Sequence, residues 1–302
     1  MEPDFSLCEP GTPIVSIGLP VYNGERFLRE AVDALLAQTL SSFELVISDN
    51  ASTDGTAAIC AEYAARDARV RVLHQQNNVG LMRNWNLLVG EARGRYFKWS
   101  SANDLCEPTL LERCVEALEN DPEAVLCYGR SHLISEDGQD LGAYPHDFEL
   151  TAKRPSDRYH GLLLSLFLNN AITGVVRTAV LRRTRLLRLY PGGDIPLMQE
   201  IALAGTILLA PEAVAYRRMG GGYSGNLSKA ELMHLINPAQ GSRIRLMELR
   251  RVLDRVATIT GAPIPATEKL RALGFAARHS YWDIAQLAKG MFSIAAAGIP
   301  MS

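Results

Sequence analysis

Little in this chain is in excess, and its shortages narrow the field. There are five cysteines among 302 residues: Cys8, Cys60, Cys106, Cys114 and Cys127, none in a CxxC pair. An odd number at irregular spacing argues against a disulfide framework or a thiolate zinc site and fits a reducing compartment. Neither sign of charge dominates: 31 Lys and Arg stand against 33 Asp and Glu, a net charge of −2. No broad cationic surface for nucleic acid is therefore expected. No apolar run reaches the length of a membrane span, and Leu162–Leu168 is far too short for one. The opening MEPDFSLCEPGTP is acidic and Pro-rich, unlike a signal peptide, so a cytoplasmic location is expected. The sequon Asn226-Leu227-Ser228 carries no weight there. No GxGxxG follows the first strand-like run and no GxxxxGK[ST] is present, which disfavours a dinucleotide site and a P-loop.

What is present is an ordinary globular balance, 47% hydrophobic and 21% charged, able to bury a core. Ile14–Val21 is a nearly continuous apolar run rich in β-branched residues and suits a strand buried on both faces. Phe27, Leu28, Ala31, Val32 and Leu35 then fall on one helical stripe. Glu44–Ser48 reads as a second strand, followed by a helix that Thr53 can cap. Val70–Leu73, Tyr96–Trp99 and Ala124–Tyr128 read as further strands, with helical segments between them. This alternation predicts βαβ units and an α/β fold with a mostly parallel central sheet flanked by helices.

Polar turns follow each strand. The central one is SSANDLCEP, Ser100–Pro108, after the strand YFKW. Pro108 opens a helix through Leu110, Leu111, Cys114, Val115 and Leu118. In open α/β sheets the carboxyl edge of the strands is where ligands bind. Taken alone, Asn103 and Asp104 are equally well turn residues. Beyond Ser131 the chain turns polar, with EDGQD as a hairpin signal. The segment HGLLLSLFLNN, His160–Asn170, reads as helical. Asp194 precedes a helix that ends near Gly205, Ile207–Leu209 reads as a strand, and Met219–Ser224 is a glycine-rich loop. From Leu227 helical segments dominate. The expected division is a flexible stretch 1–12, a main domain 13–226 and a helical C-terminal appendage 227–302, whose apolar tail MFSIAAAGIPMS docks on the domain or touches a membrane surface.

Five features stand in one order: PVYNGE, SDNASTDGT, NNVGLMRNWN, SSANDLCEP, and GGDIPLMQEIALAG followed by YRR. This arrangement resembles the family 2 glycosyltransferases of the GT-A fold, from about Pro13 to Asn226. The resemblance implies transfer of one sugar, with inversion, from a nucleotide-diphospho-sugar to a hydroxyl. Acceptors of the implied kind are a glycan, a lipid-linked or glycolipid molecule, or a small natural product. The QxxRW signature of the processive members is not at its expected place.

The resemblance also implies roles. Pro20, Val21, Tyr22, Asn23 and Asp49 hold the nucleobase, with Asp49 accepting from a base N–H, which favours uracil or thymine. Glu25, Asn50 and Ser52 belong to the same pocket, although Glu25 serves equally as a helix N-terminal charge and Asp49 as a turn carboxylate. Gly80 allows close backbone approach and Arg83 reaches the diphosphate, unless it is a solvated helix arginine. Trp85 reads as core. Asp194 is the general base, reduced to a single acid because Gly193 stands where members often carry a second; Glu200 is the alternative acid. Asn103, Asp104 and Arg217 complete the donor site.

An acidic DxDD-like cluster common in the family is represented here by Ser101, Ala102, Asn103 and Asp104, and Met219 stands where members often have a metal-binding histidine. Thioether sulfur suits Mg²⁺ and Mn²⁺ poorly. The expectation is that Mg²⁺ or Mn²⁺ is held weakly by Asp104, with Asn103, or is dispensable, and that Arg217, Arg218 or Lys98 supplies part of the missing charge. The competing reading is a nucleotide-sugar or glycan binding member of the fold with weak turnover.

Overall fold

The computed structural model describes residues 12–220, 229–238 and 247–279. The expectations for most of the N-terminal stretch, the end of the glycine-rich loop and the apolar tail lie outside those residues.

The two strongest apolar runs form β1 (Val15–Val21) and β2 (Phe43–Asp49), each buried along its whole length. With β3 (Val70–His74) and β4 (Tyr96–Trp99) they make a parallel group in the order β3-β2-β1-β4. Between them run α1 (Leu28–Leu36), α2 (Thr56–Arg66) and α3 (Leu81–Glu91). Next come the short β5 (Leu105–Cys106), α4 (Leu110–Asn120), β6 (Ala124–Ile134), β7 (Asp140–Ala143) and α5 (Pro155–Ser165). Then follow β8 (Val175–Arg177), α6 (Thr178–Leu181), α7 (Asp194–Ala204) and β9 (Thr206–Arg218). The helices α8 (Lys229–Ile236) and α9 (Met247–Gly261) and a last helix over 266–279 end the described chain.

The sheet reads β3-β2-β1-β4-β8-β6-β9-β5, with β7 on β6. β8 is antiparallel to both β4 and β6, and β9 is parallel to β6. The two reversals cancel, so β9 delivers its carboxyl end to the same edge as β1, β2 and β4. Alternating side chains split the core. Leu45 and Ile47 join one cluster with the stripes of α1, α2 and α4. Val46, Phe97 and Trp99 join another with Leu88 of α3 and Leu197, Met198 and Ile201 of α7. Trp85 is half-buried beside Trp99, ring centroids 5.9 Å apart, as expected of a core residue.

Three local expectations need correction. The helix expected over His160–Asn170 begins at Pro155 and stops at Ser165; asparagine favours local backbone bonds over the helix interior, and Asn169 and Asn170 lie beyond it. Thr53 does not cap α2, which starts at Thr56 with Gly55 at its N-cap; Asp54, one residue earlier, accepts the Thr56 N–H at 3.0 Å. The strands expected at Ala124–Tyr128 and Ile207–Leu209 are present but run on, as parts of β6 and of the thirteen-residue β9. A register shift between Gly129 and Arg130 lets the longer β9 absorb Pro211, which a regular ladder does not tolerate.

The appended helices pack on α5 and α7. Glu268 accepts from the Ser156 hydroxyl at 2.6 Å, and Asp254 of α9 accepts from the Tyr190 hydroxyl at 2.8 Å.

Candidate active site

At the carboxyl edge the turns after β1 and β2 are laced together. The Asn23 N–H donates to Ser52 Oγ at 2.9 Å, and Asn23 Oδ1 accepts the Thr53 N–H at 2.8 Å. The Gly24 N–H donates to Thr56 Oγ1 at 2.9 Å. Glu25 accepts the Gly55 N–H at 2.9 Å; the helix it serves is α2, across the site, and not the α1 that follows it in sequence. Asn23 and Ala51 hold positive φ, 50° and 60°, a conformation that non-glycine residues adopt at a cost and that concentrates at functional edges. Pro20 and Val21 are buried beneath this turn and Tyr22 is half-exposed.

Asp49, at the end of β2, is 3% exposed. One carboxylate oxygen accepts the Ser52 N–H at 3.0 Å, and the other lies 3.4 Å from His74 Nδ1. Its turn role is thus visible, and His74 is a neighbour the sequence did not suggest. Asn50 was expected in the donor pocket, but both ends of its carboxamide are used within the protein: Nδ2 donates to Asn78 Oδ1 and Oδ1 accepts the Val79 N–H, each at 2.9 Å. It fixes the NNVG turn. Gly80 (φ 91°) does allow close approach, yet the backbone approaching it is the chain's own: a Cβ there would lie 2.5 Å from the Ile236 carbonyl oxygen. Arg83 is exposed on the first turn of α3.

The SSAND turn lies beside this group, with Ala102 Cβ 3.7 Å from where a Gly24 Cβ would stand. Asp104 is half-buried and accepts the Arg218 N–H at 2.9 Å. Burial pushes its carboxyl above the usual range; the Arg218 N–H and the charges of Arg217, Lys98 and Arg218 pull the other way. Asn103 Oδ1 accepts the Ser101 hydroxyl.

Two of the cations expected to face the leaving group do not. The Lys98 ammonium is buried and donates to the backbone carbonyls of Trp99 at 3.1 Å and Thr173 at 2.5 Å; burial holds it below the usual lysine range. Arg218, 5% exposed, donates to the carbonyls of Asn103 and Glu136 and to the Glu30 carboxylate at 2.9, 2.8 and 2.7 Å. It is a strut that holds the SSAND turn and the β6–β7 turn to α1. Its neighbour Arg217 points to the other side, as strand alternation requires, and donates through Nη1 to Asn170 Oδ1 at 2.6 Å.

Asp194 is the first residue of α7 and half-buried. Its Oδ2 accepts from Asn169 Nδ2 at 2.7 Å. Gly193 packs on the backbone of Arg188, whose N–H donates to the Gly193 carbonyl at 2.9 Å. Glu200 is removed as an alternative acid, because Arg185 Nε at 2.7 Å and Arg188 Nη2 at 2.9 Å occupy it. Asn169 and Asn170 went unnoticed in the sequence; the only signal was an NN pair at the end of an apolar run.

One edge therefore holds, in contact order, the laced turns with Asp49, the turn with Asp104, then Arg217, Asn170, Asn169 and Asp194. Among the described residues there is no group of three or more His, Cys, Asp or Glu that could hold a metal. Asp104 has one carboxylate oxygen without a backbone donor and Asn103 has an oxygen already shared with Ser101. This donor set does not fit a resident Mg²⁺ or Mn²⁺, which needs about six oxygens.

The chain is 38% identical over 109 residues to the uncharacterized glycosyltransferase EpsJ of Bacillus subtilis, covering 36% of this chain and 31% of that protein. An uncharacterized protein of Mycobacterium bovis is 32% identical over 213 residues, 68% of this chain and 58% of the relative. The chain thus spans less than two thirds of the length of these relatives. Among solved structures, Staphylococcus aureus TarS 1–349 in complex with UDP-GlcNAc superposes with a TM-score of 0.63 at 18% identity, covering 88% of this chain and 72% of that one. The mannosyltransferase PcManGT of Pyrobaculum calidifontis, in complex with GDP-Man and Mn²⁺, gives 0.54 at 17% identity over 96% and 77%. At such identities the likeness shows the fold alone. The model of the family described as Glycosyl transferase family 2 matches residues 16–188, more than half of the chain, and the chain belongs to that family.

Proposed function

We propose that the chain is an inverting, non-processive glycosyltransferase that moves one sugar from a UDP- or dTDP-sugar to an acceptor hydroxyl. The observation that carries this reading is the meeting of an acid and a cation, Asp194 and Arg217, on one asparagine pair at the carboxyl edge of the sheet. Asp194 takes the proton from the acceptor hydroxyl through the oxygen that Asn169 does not use. The acceptor oxygen attacks the anomeric carbon as the bond to the diphosphate oxygen breaks. The leaving nucleoside diphosphate carries the electron pair away and Arg217 faces its growing charge. Asp49 holds the base by accepting from its N3–H, with Pro20 to Asn23 along its face; the UDP-GlcNAc bound by TarS supports a uridine donor.

The acceptor is a glycan, a lipid-linked molecule or a small natural product; a lipid-linked one implies peripheral membrane contact. Among the described residues no helix is long and apolar enough to cross a membrane. We read residues 13–226 as the transfer unit and 227–302 as the appendage beside it. The reading is tested by a panel of nucleotide-sugars scored by thermal shift and by nucleotide release, with Asp194→Asn alongside the parent. General-base assistance contributes about 10²–10⁴-fold, so Asp194→Asn is expected to lose turnover on that scale while binding UDP as before. A loss of less than about tenfold moves the base elsewhere. The thinned acidic turn, Ser101-Ala102-Asn103-Asp104, favours a second reading, a binding member with weak turnover. UDP binding by the parent without product from any acceptor would select it.

A further inference from the structure

The segment from Leu166 to Asn170 leaves α5 and leads into a single 3₁₀ turn, Ala171–Thr173. On it, two successive carboxamides address two different groups of the site. Asn169 Nδ2 donates to Asp194 Oδ2 at 2.7 Å, and Asn170 Oδ1 accepts from Arg217 Nη1 at 2.6 Å. A carboxylate can only accept and a guanidinium can only donate. The partners therefore fix both amide orientations, which are otherwise open to a flip.

The other ends of the two amides are Asn169 Oδ1 and Asn170 Nδ2. Both atoms are shielded and neither has a hydrogen-bond partner. Buried polar atoms are almost always paired, and an unpaired one is costly. The other buried carboxamides divide: Asn237 is unpaired at both ends and Gln199 at its oxygen, while two asparagines are paired at both ends. Asn50 uses both ends, on Asn78 and Val79. Asn84 uses both ends on Ser48, donating to its carbonyl and accepting from its hydroxyl. The half-satisfied pair is the one that touches the acid and the cation.

We infer that Asn169 and Asn170 are positioning residues of the transfer site, one for each half of the reaction. Asn169 holds the Asp194 carboxylate with its second oxygen free for the acceptor proton. Asn170 holds the Arg217 guanidinium with its remaining nitrogens free for the diphosphate. Because the two are neighbours in the chain, the separation of base and cation is set by one dipeptide. The inference rests on the roles proposed above for Asp194 and Arg217.

The two halves give separable phenotypes. Asn169→Ala is expected to lower kcat about tenfold or more and to leave the Kd for UDP unchanged. Asn169→Ser keeps a donor and restores part of the rate. Asn170→Ala is expected to weaken UDP binding several-fold. Each alanine variant deletes one unpaired buried atom together with one hydrogen bond to a half-buried group, so its fall in Tm is expected to be smaller than that of Asn50→Ala.

The experiment measures UDP affinity by calorimetry, nucleotide release from UDP-glucose, UDP-galactose and UDP-N-acetylglucosamine, and Tm. An unchanged kcat in Asn169→Ala overturns the inference, as does an equal loss of UDP affinity in both variants with a fall in Tm as large as that of Asn50→Ala. Asp194→Asn measured in parallel keeps the two readings apart. If that variant retains turnover the base assignment fails; if it loses turnover while Asn169→Ala is silent, the positioning role alone fails.

Discussion

A Cβ placed on Gly193 would lie 2.0 Å from the carbonyl oxygen of Arg188. The neighbour is backbone, held in turn by the Arg188 N–H on the Gly193 carbonyl at 2.9 Å. Any side chain at 193 must therefore break that turn. A second acid directly before Asp194 is excluded by packing.

Gly193→Ala is accordingly expected to destabilise the protein by roughly 1–3 kcal/mol, the usual cost of forcing atoms into a filled space. Gly193→Asp is expected to cost at least as much and to gain no rate. Urea unfolding of both variants checks the first statement, and nucleotide release checks the second. A stable Gly193→Asp variant with faster turnover contradicts this reading of the turn.

Much of the fold was legible because local pattern and burial agree. The stripe Leu28, Ala31, Val32 and Leu35 is the buried face of α1, and Leu110, Leu111, Cys114, Val115 and Leu118 are that of α4. The site was legible as a set of turns but not as a set of bonds. Asn169 lies 25 residues from its partner Asp194 and Asn170 47 from Arg217, so no spacing rule could pair them. Arg217 and Arg218 are adjacent in a strand and must face opposite ways, but sequence does not say which becomes the strut. Lys98 reads as a free cation because nothing local shows that its strand side is enclosed by α4. The resemblance puts Asn50 in the donor pocket, whereas its hydrogen-bond partners come from the turn after β3.

For Asn50 the structure predicts a stability defect. Replacing it with alanine leaves Asn78 without its donor and the Val79 N–H without its acceptor, in a position only 2% exposed. Asn50→Ala is expected to lose about 1–3 kcal/mol in urea unfolding, the cost of stranding a buried polar group. UDP affinity should fall only as far as the NNVG turn loosens. Unchanged stability with a sharp loss of UDP binding would instead mark Asn50 as a ligand contact.

Lys98 gives a prediction with a definite sign. Its folded-state pKa is depressed by burial, while the unfolded chain titrates near the ordinary lysine value of about 10.4. Between those two values the unfolded state binds more protons, so stability from this group rises as pH rises through the window. Its charge costs most below the folded-state pKa. Lys98→Met removes the charge and most of this dependence. The stability of the parent relative to Lys98→Met should therefore increase from neutral pH toward about pH 10, as read by urea unfolding at a series of pH values. A difference that is flat or falls with pH contradicts a depressed pKa.

The last prediction concerns divalent cations. The turn after β4 offers one acid, Asp104, and one of its oxygens is on the Arg218 N–H at 2.9 Å. Asn103 shares its oxygen with Ser101. Lys98 and Arg218 do not face the leaving group, since their donors end on protein carbonyls and on Glu30. That leaves Arg217 as the cation best placed for the diphosphate, with Asp104 beside it. A cation bound here must draw most of its oxygens from the diphosphate and from water, as Mg²⁺ commonly does when only one or two carboxylates are at hand. Two outcomes follow. The nucleotide-free protein should show no tight Mn²⁺ or Mg²⁺ binding in calorimetry. With UDP present, EDTA should weaken binding by less than about tenfold, which is less than about 1.4 kcal/mol, and Asp104→Asn should remove that part while Arg217→Ala removes more. These outcomes would assign Arg217 the larger share of the charge, and the cation a share that depends on Asp104. Complete loss of donor binding and turnover in EDTA, together with tight metal binding by the nucleotide-free protein, would show that Asp104 anchors a resident metal after all.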